Sequence, residues 1–140
     1  MAFDEEKYRQ VFDIVKNMKI DYETFELFDI SYVVLGVPSR NDDGTVNGEP
    51  GDFSAHETGE WAIYVWEDLE EKIQKPILFH DIVDIYHMAA MGMDRAHSHN
   101  TTMPWEKRFC EEYLTPSELE NYLKFKKEHG YNGFDLSDRL

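Results

Sequence analysis

The fold is decided by one stretch, residues 76–91, which reads PILFHDIVDIYHMAAM. Its apolar residues recur at the three- and four-residue spacing of one helix face, and Gly92 follows as a stop signal. Because proline is favoured at the first position of a helix, we predict a helix that begins at Pro76 and ends at Met91. The predicted core-facing stripe of this helix is Leu78, Ile82, Ile85 and Ala89.

The chain after this stretch is also predicted to be helical. One segment runs from Asp94 to Leu114, and Pro104 is expected to start its second part. A last helix starts at the sequence Thr-Pro-Ser-Glu, residues 115–118, which combines an N-cap, a proline at the first position and a capping-box acid. Gly130 closes this helix, and residues 131–140 give no clear signal.

The chain before the central stretch combines one helix with strands. Apolar residues at helical spacing predict an amphipathic helix over Asp4–Met18. β-branched and aromatic residues predict one or two strands within Phe25–Val37 and a further strand at Glu60–Trp66. Between them, Ser39–Gly59 is rich in turn dipeptides and is expected to be a long hairpin connection. We therefore predict an α+β fold over residues 1–140, a single small domain with an N-terminal helix, a short antiparallel sheet and a helical C-terminal half.

The charge balance limits the partners that the protein can have. The 140 residues include 29 acidic and 14 basic side chains, which gives a net charge of −15. Nucleic-acid binding needs clustered basic residues, so we expect no nucleic-acid partner. The sequence has no apolar run long enough to cross a bilayer and does not begin like a signal peptide. We therefore expect a cytoplasmic protein without a membrane partner, while the oligomeric state stays open.

The unusual feature of the sequence is a concentration of histidines. Four of the six histidines fall within residues 80–99, close to several acidic residues. At about 100° per residue, His80, Asp84 and His87 lie on one stripe of the predicted helix. The stripe predicts either a polar surface or a metal site.

Imidazole and carboxylate are ligand types that zinc prefers after thiolate, and two ligands one turn apart on a helix can bind one ion. The pair His80 and Asp84 has that spacing. A catalytic zinc site keeps three protein ligands and an open position, and we predict His97 as the third ligand, with His87 as an alternative. Asp81 would then be the general base that takes a proton from the attacking water. The metal is predicted to be zinc or another divalent ion, and His99 is expected to be solvated.

The segments Phe79–Asp84, Ala96–His97 and Glu106–Phe109 together carry a resemblance to a known family. They resemble zinc-metallopeptidase-like proteins of bacteria and phages. In those proteins a His-Glu-x-x-Glu or His-Glu-x-x-His helix is followed by an Ala-His pair and, after a further helical stretch, by a Glu. The resemblance covers about residues 77–114.

The resemblance implies a role for each matching residue. It makes His80 and Asp84 ligands on the first helix, His97 a further ligand, and Glu106 a ligand or an acid that orients one. Asp81 stands in the base position, where the family has Glu. Its side chain is one methylene shorter, and a displacement of about 1 Å in a catalytic group can lower a rate a hundredfold.

The sequence therefore predicts a metal-binding protein that hydrolyses an amide or peptide bond, with a peptide or protein as substrate. Three alternatives stay open. Because Asp81 and Asp84 are shorter than the Glu residues of the family, the protein could keep a metal site without peptidase activity. Histidines and acids on one helix face are often a solvated, ion-paired surface. An acidic protein could instead be a non-catalytic binding or inhibitor protein, such as a DNA mimic or a partner of a basic protein.

Overall fold

A computed structural model describes residues 2–130 of the chain, and within them it contains four helices and one four-stranded sheet. The N-terminal helix comes first, the sheet follows, and the remaining helices come last, which confirms the predicted α+β class. Residues 131–140 lie outside the described part. In chain order the elements are α1 (Glu5–Asn17), β1 (Tyr22–Leu27), β2 (Ile30–Val37), β3 (Gly51–Ala55), β4 (Trp61–Trp66), α2 (Glu71–Ala89), α3 (Arg95–Tyr113) and α4 (Pro116–Glu128).

The sheet is mixed, and the prediction of a purely antiparallel sheet is wrong. Its strand order is β1-β2-β4-β3. β1 pairs with β2, and β3 pairs with β4, in antiparallel fashion, whereas β2 and β4 are parallel. The parallel pair arises because the chain leaves β2, forms β3 at the edge of the sheet away from β1, and then returns as β4 between β2 and β3.

The predicted strand region Phe25–Val37 contains two strands, since β1 extends into it and β2 fills its second half. Phe28 and Asp29 join them, and both have positive φ angles, 56° and 63°. Tight hairpins need such angles, but asparagine and glycine adopt them more readily than phenylalanine does. The Phe28 ring packs edge-on against Tyr86 of α2, with 5.3 Å between the ring centroids. This contact ties the hairpin to the core.

The segment Ser39–Gly59 is more than a connection, because it contains β3. The strand is short and its composition is typical of a turn, so its pairing with β4 rather than its own propensity makes it a strand. Phe53 is its buried residue. Gly51 lies so close to α2 that a β-carbon there would be 2.2 Å from Cγ2 of Ile77.

Helix α2 begins at Glu71, so the prediction that it starts at Pro76 is wrong. A proline inside a helix removes one backbone hydrogen bond, and contacts with the rest of the protein offset that loss. The Gln74 side chain donates to the carbonyl of Trp66 at 3.0 Å. The buried ammonium of Lys75 donates to carbonyls at the end of α1, including that of Val15 at 2.6 Å. These bonds hold the first turn of α2 in place.

Helix α3 also passes through a proline without a break, since Pro104 lies inside Arg95–Tyr113. The predicted division of this segment at Pro104 is therefore wrong. One continuous helix fixes the angular relation between residues before and after the proline, which matters for the site described below.

The other two helices agree with their predicted extents to within about one residue. Asp4 caps α1 by accepting a hydrogen bond from the backbone of Lys7 at 3.0 Å. Thr115 and Glu118 form the predicted capping box at the start of α4, and Gly130 follows the helix with a φ of 84°.

Helix α2 is the centre of the core, packed against the sheet and against α1, α3 and α4. Leu78, Ile82 and Ile85 are fully buried as predicted, whereas Ala89, the last residue of the helix, is exposed. The polar face of α2 is buried as well, including His80 and Asp84. Within residues 2–130, the helices lack the combination of length and apolar character that a membrane span requires.

The contact between β3 and α2 predicts that Gly51→Ala destabilises the protein by about 1–3 kcal/mol, because the added methyl overpacks the contact with Ile77. Urea unfolding measures the change. Truncation of the opposing side chain should relieve the clash, so the Gly51→Ala, Ile77→Ala double variant should lose less than the two single variants together.

Ser54→Ala is the matched control, because Ser54 is exposed on the same strand, and it should change the free energy of unfolding by less than about 0.5 kcal/mol. If Gly51→Ala is as stable as this control, the close approach of β3 to α2 is contradicted.

Candidate metal centre

The candidate site lies between α2 and α3, which form a helical hairpin. The turn between them uses Gly92 at a φ of 69°, and Asp94 caps α3 by accepting the backbone N–H of His97 at 2.8 Å. His80 and Asp84 lie one turn apart on α2. In the hairpin they face the first and middle turns of α3.

Three side chains could hold a metal ion together within residues 2–130, namely His80, Asp84 and His99. Nε2 of His80 lies 2.9 Å from Oδ2 of Asp84 and 3.1 Å from Nδ1 of His99. The third edge of this triangle, from Nδ1 of His99 to Oδ2 of Asp84, is 4.0 Å. His80 and Asp84 are buried, and His99 is partly buried.

Other side chains of α3 hold the first two members of this group in position. Glu106 Oε1 lies 2.6 Å from Nδ1 of His80, on the side of the ring away from Asp84. Ser98 donates from its hydroxyl to the carbonyl oxygen of Asp84 at 2.9 Å and to its Oδ1 at 3.2 Å. In both His80 and Asp84, one side-chain atom thus contacts α3 and another faces the other members of the group.

The charges around His80 determine its protonation. Burial alone would lower the pKa of His80, but the carboxylates of Asp84 and Glu106 outweigh burial and raise the pKa to about 10. Burial would raise the pKa of Glu106, but Lys126 and His80 lower it to about 2. Without a metal, His80 is therefore an imidazolium between two carboxylates, and a metal ion would replace its Nε2 proton.

Asp81 is buried beside this group, with 6% of its surface exposed. Among the described residues, 2–130, no group lies within hydrogen-bonding distance of its Oδ2 atom. Burial raises the pKa of Asp81 well above its usual value, although the charge of His80 opposes the rise. A buried carboxyl oxygen without a partner is costly, so its presence needs an explanation.

Asp81, His80, Asp84 and His99 line the same cavity, which has a volume of about 200 Å³. The rest of its wall comes from β3, α2, α3 and α4 and includes Phe53, Ile77, Arg95 and Phe125. The cavity gives the polar group contact with a space that can hold a small ligand or a segment of a larger one.

The structure does not bring His97 into this group, and His99 takes the place that was predicted for it. His97 is exposed on α3, whereas His99 contacts His80. Residues two positions apart on a helix are rotated by about 200° about its axis, so these two histidines face nearly opposite sides. His99 and Glu106 are seven residues apart and share one face of the continuous helix, whereas His97 and Glu106 face opposite sides. This spacing groups His99 with Glu106, but it does not determine which face of α3 meets α2.

His87, the predicted alternative ligand, also lies outside the group. It is buried, and its Nδ1 lies 3.0 Å from the hydroxyl of Thr102 on α3. Although His87 is on the same stripe as His80, seven residues separate the two by about 10 Å along the helix. Glu106 contacts His80 but is not one of the three clustered residues.

Comparison with models of known protein families, with curated proteins and with solved structures finds no match for this chain. The interpretation of the site therefore rests on the residues themselves and on their geometry.

The environment of Glu106 predicts that Glu106→Gln destabilises the protein by about 3–5 kcal/mol, because the ammonium of Lys126 loses its buried counter-charge. Urea unfolding in the presence of a chelator measures the change. Replacing Lys126 as well removes the buried ammonium that pairs with Glu106, so adding Lys126→Met to Glu106→Gln should recover part of the loss.

Glu111→Gln is the control for this experiment, since Glu111 is exposed on the same helix. Similar free energies of unfolding for Glu111→Gln and Glu106→Gln would contradict the buried ion pair.

Proposed function

We propose that the protein binds one zinc ion through His80, Asp84 and His99 and uses it to hydrolyse an amide or peptide bond. The observation that carries this proposal is the triangle of Nε2, Oδ2 and Nδ1 atoms, with edges of 2.9, 3.1 and 4.0 Å. In a tetrahedral zinc site with bonds of about 2.0–2.1 Å, ligand atoms are about 3.3 Å apart. The three edges bracket this value, so small side-chain rotations would suffice to bind the ion.

The contacts of the ligands support the same proposal. Histidines that bind zinc usually donate their second ring N–H to a carboxylate or carbonyl, which fixes the tautomer. Glu106 supplies that carboxylate for His80, and Ser98 orients Asp84. In this proposal Glu106 orients a ligand and does not itself bind the metal.

Three protein ligands leave a coordination position for water or substrate, which is typical of catalytic rather than structural zinc sites. Zinc bound there would polarise the substrate carbonyl and lower the pKa of water. The charge of a bound zinc ion would oppose the effect of burial on the pKa of Asp81 and favour its carboxylate. Asp81 would then act as general base, accepting a proton from the attacking water at its Oδ2 atom and later passing it to the leaving amine. This role accounts for a buried carboxyl oxygen that has no partner within residues 2–130.

The cavity beside the site defines where a substrate would bind. Its wall combines apolar side chains with five acidic residues and two cationic ones, Arg95 and Lys126, so it disfavours a highly anionic substrate and can accept a neutral amide. A peptide segment entering the cavity would meet β3 on one side and α4 on the other. The proposed substrate is therefore a peptide or a protein segment.

The proposed ligand set makes His97 and His99 a matched pair. Purified protein should contain close to one zinc ion per chain, as measured by elemental mass spectrometry. His99→Ala should lose the zinc because it removes a ligand, whereas His97→Ala should keep it because His97 is exposed.

Retention of zinc by His99→Ala, or its loss in His97→Ala, would contradict the proposed ligands. Two imidazoles and one carboxylate also bind ferrous iron in oxygenases, so iron in place of zinc would contradict the hydrolytic function. If the wild-type protein binds no metal even with zinc in excess, the acidic binding protein becomes the favoured function.

The proposed role of Asp81 predicts that Asp81→Asn lowers peptide cleavage at least about 100-fold without lowering the zinc content, because the amide cannot accept the proton. Cleavage of a peptide library, followed by mass spectrometry, measures the rate. Glu120→Gln is a suitable control, since Glu120 is exposed on α4.

Equal cleavage by Asp81→Asn and the control would show that Asp81 is not the base. Asp81→Glu separately tests the length of the side chain, because it keeps the carboxylate and adds one methylene. It should retain more activity than Asp81→Asn.

A further inference from the structure

We propose that α4 positions His80 for metal binding, acting through Tyr122, Lys126 and Glu106, and that bound metal in turn holds α4 against the hairpin. This inference rests on the proposed metal site. It adds that α4, which contributes no ligand, raises the affinity of that site for the metal.

The buried residues of α4 are Tyr122 and Lys126, and both contact the same atom. The Tyr122 hydroxyl donates to Oε2 of Glu106 at 3.0 Å, and the Lys126 ammonium donates to it at 2.6 Å. All three side chains are at least 94% buried. Within residues 2–130, two buried side chains of α4 therefore meet at one carboxylate oxygen.

Within residues 2–130, the apolar packing of α4 is limited by comparison. Its Tyr122 joins Cys110 and Leu114 in a small cluster, separate from the main core around α2. Leu119 of α4 packs at the edge of this small cluster. A helix with so little apolar burial depends strongly on its buried hydrogen bonds to stay in place.

Glu106 transmits the position of α4 to His80. Its Oε2 atom is held by α4, and its Oε1 atom lies 2.6 Å from Nδ1 of His80. With both oxygens engaged, the carboxylate has a fixed plane and accepts the Nδ1 proton of His80. Nε2 is then left for the metal, in the direction of Asp84 and His99. Release of Oε2 would free Glu106 to rotate, and His80 would lose its fixed orientation.

The coupling must act in both directions. If docking of α4 raises metal affinity by some factor, metal binding favours docking of α4 by the same factor. Metal should therefore slow hydrogen exchange of the α4 backbone, although the proposed ligands lie on α2 and α3.

The experiment compares four proteins: the wild type, Lys126→Met, Lys126→Arg and Lys124→Met. Lys124 is exposed on the same helix, so Lys124→Met is the matched control. Zinc affinity is measured by competition with a chromogenic chelator. We expect Lys126→Met to bind zinc about 10- to 100-fold more weakly, as is typical when support for a ligand is lost. Lys126→Arg keeps a charged donor and should recover part of this loss, and Lys124→Met should match the wild type.

Two further measurements separate positioning from a loss of folding. Tyr122→Phe removes one hydrogen bond to Glu106 and keeps the ring, so it should fold even if Lys126→Met does not, and it should weaken zinc binding about fivefold. Long-range NMR of the imidazole nitrogens should find the proton on Nδ1 of His80 in the zinc-bound wild type.

The outcomes distinguish this inference from the proposed function. A wild-type protein that binds no zinc overturns both. A wild-type protein that binds zinc through His80, Asp84 and His99, with equal affinity in Lys126→Met and Tyr122→Phe, overturns the role of α4 alone. Exchange of the α4 amides that does not change on addition of zinc also overturns it.

Discussion

The burial of α2 on nearly every side is the constraint on which the rest of the structure depends. The sheet covers its apolar face, and α1, α3 and α4 cover the remainder, so its polar residues must find partners inside the protein. Three of them do so through α3, where Glu106 contacts His80, Ser98 contacts Asp84 and Thr102 contacts His87. Asp81 differs, because its Oδ2 atom has no partner within residues 2–130.

This constraint separates the two interpretations of the histidine cluster. A solvated polar stripe would leave His80 and Asp84 at the surface, but both are less than 10% exposed. Burying three carboxyl groups and two imidazoles around one cavity is costly unless charge is compensated. In the absence of metal, Lys126 and the imidazolium of His80 supply that compensation. A divalent ion would supply more of it, and it would suit the two nitrogens and one oxygen that face one another.

The sequence predicts most of the fold because its strongest signals are local. The capping box at Thr115 and the apolar periodicity of α1 and α2 depend on neighbouring residues, and their predictions agree with the structure. The errors arise where contacts between distant segments override local preference. Pro76 and Pro104 suggest helix starts, yet both lie inside helices that the rest of the protein holds in place.

The same cause explains what was missed in the site. His80, Asp84 and the neighbouring Asp81 were identified from spacing on one predicted helix, which the structure preserves. The third residue depends on the relative rotation of α2 and α3. The turn around Gly92 sets that rotation and is not predictable from the sequence, so spacing along the chain does not distinguish His97 from His99. Likewise, β3 could not be predicted from its composition, although it lines the cavity beside Asp81.

The most direct test of the central claim is anomalous diffraction at the zinc absorption edge from crystals grown with zinc. We predict one strong peak between α2 and α3, about 2.0–2.1 Å from Nε2 of His80, Nδ1 of His99 and a carboxylate oxygen of Asp84. A map without that peak, or with zinc bound only at exposed histidines such as His97 and His129, would contradict it.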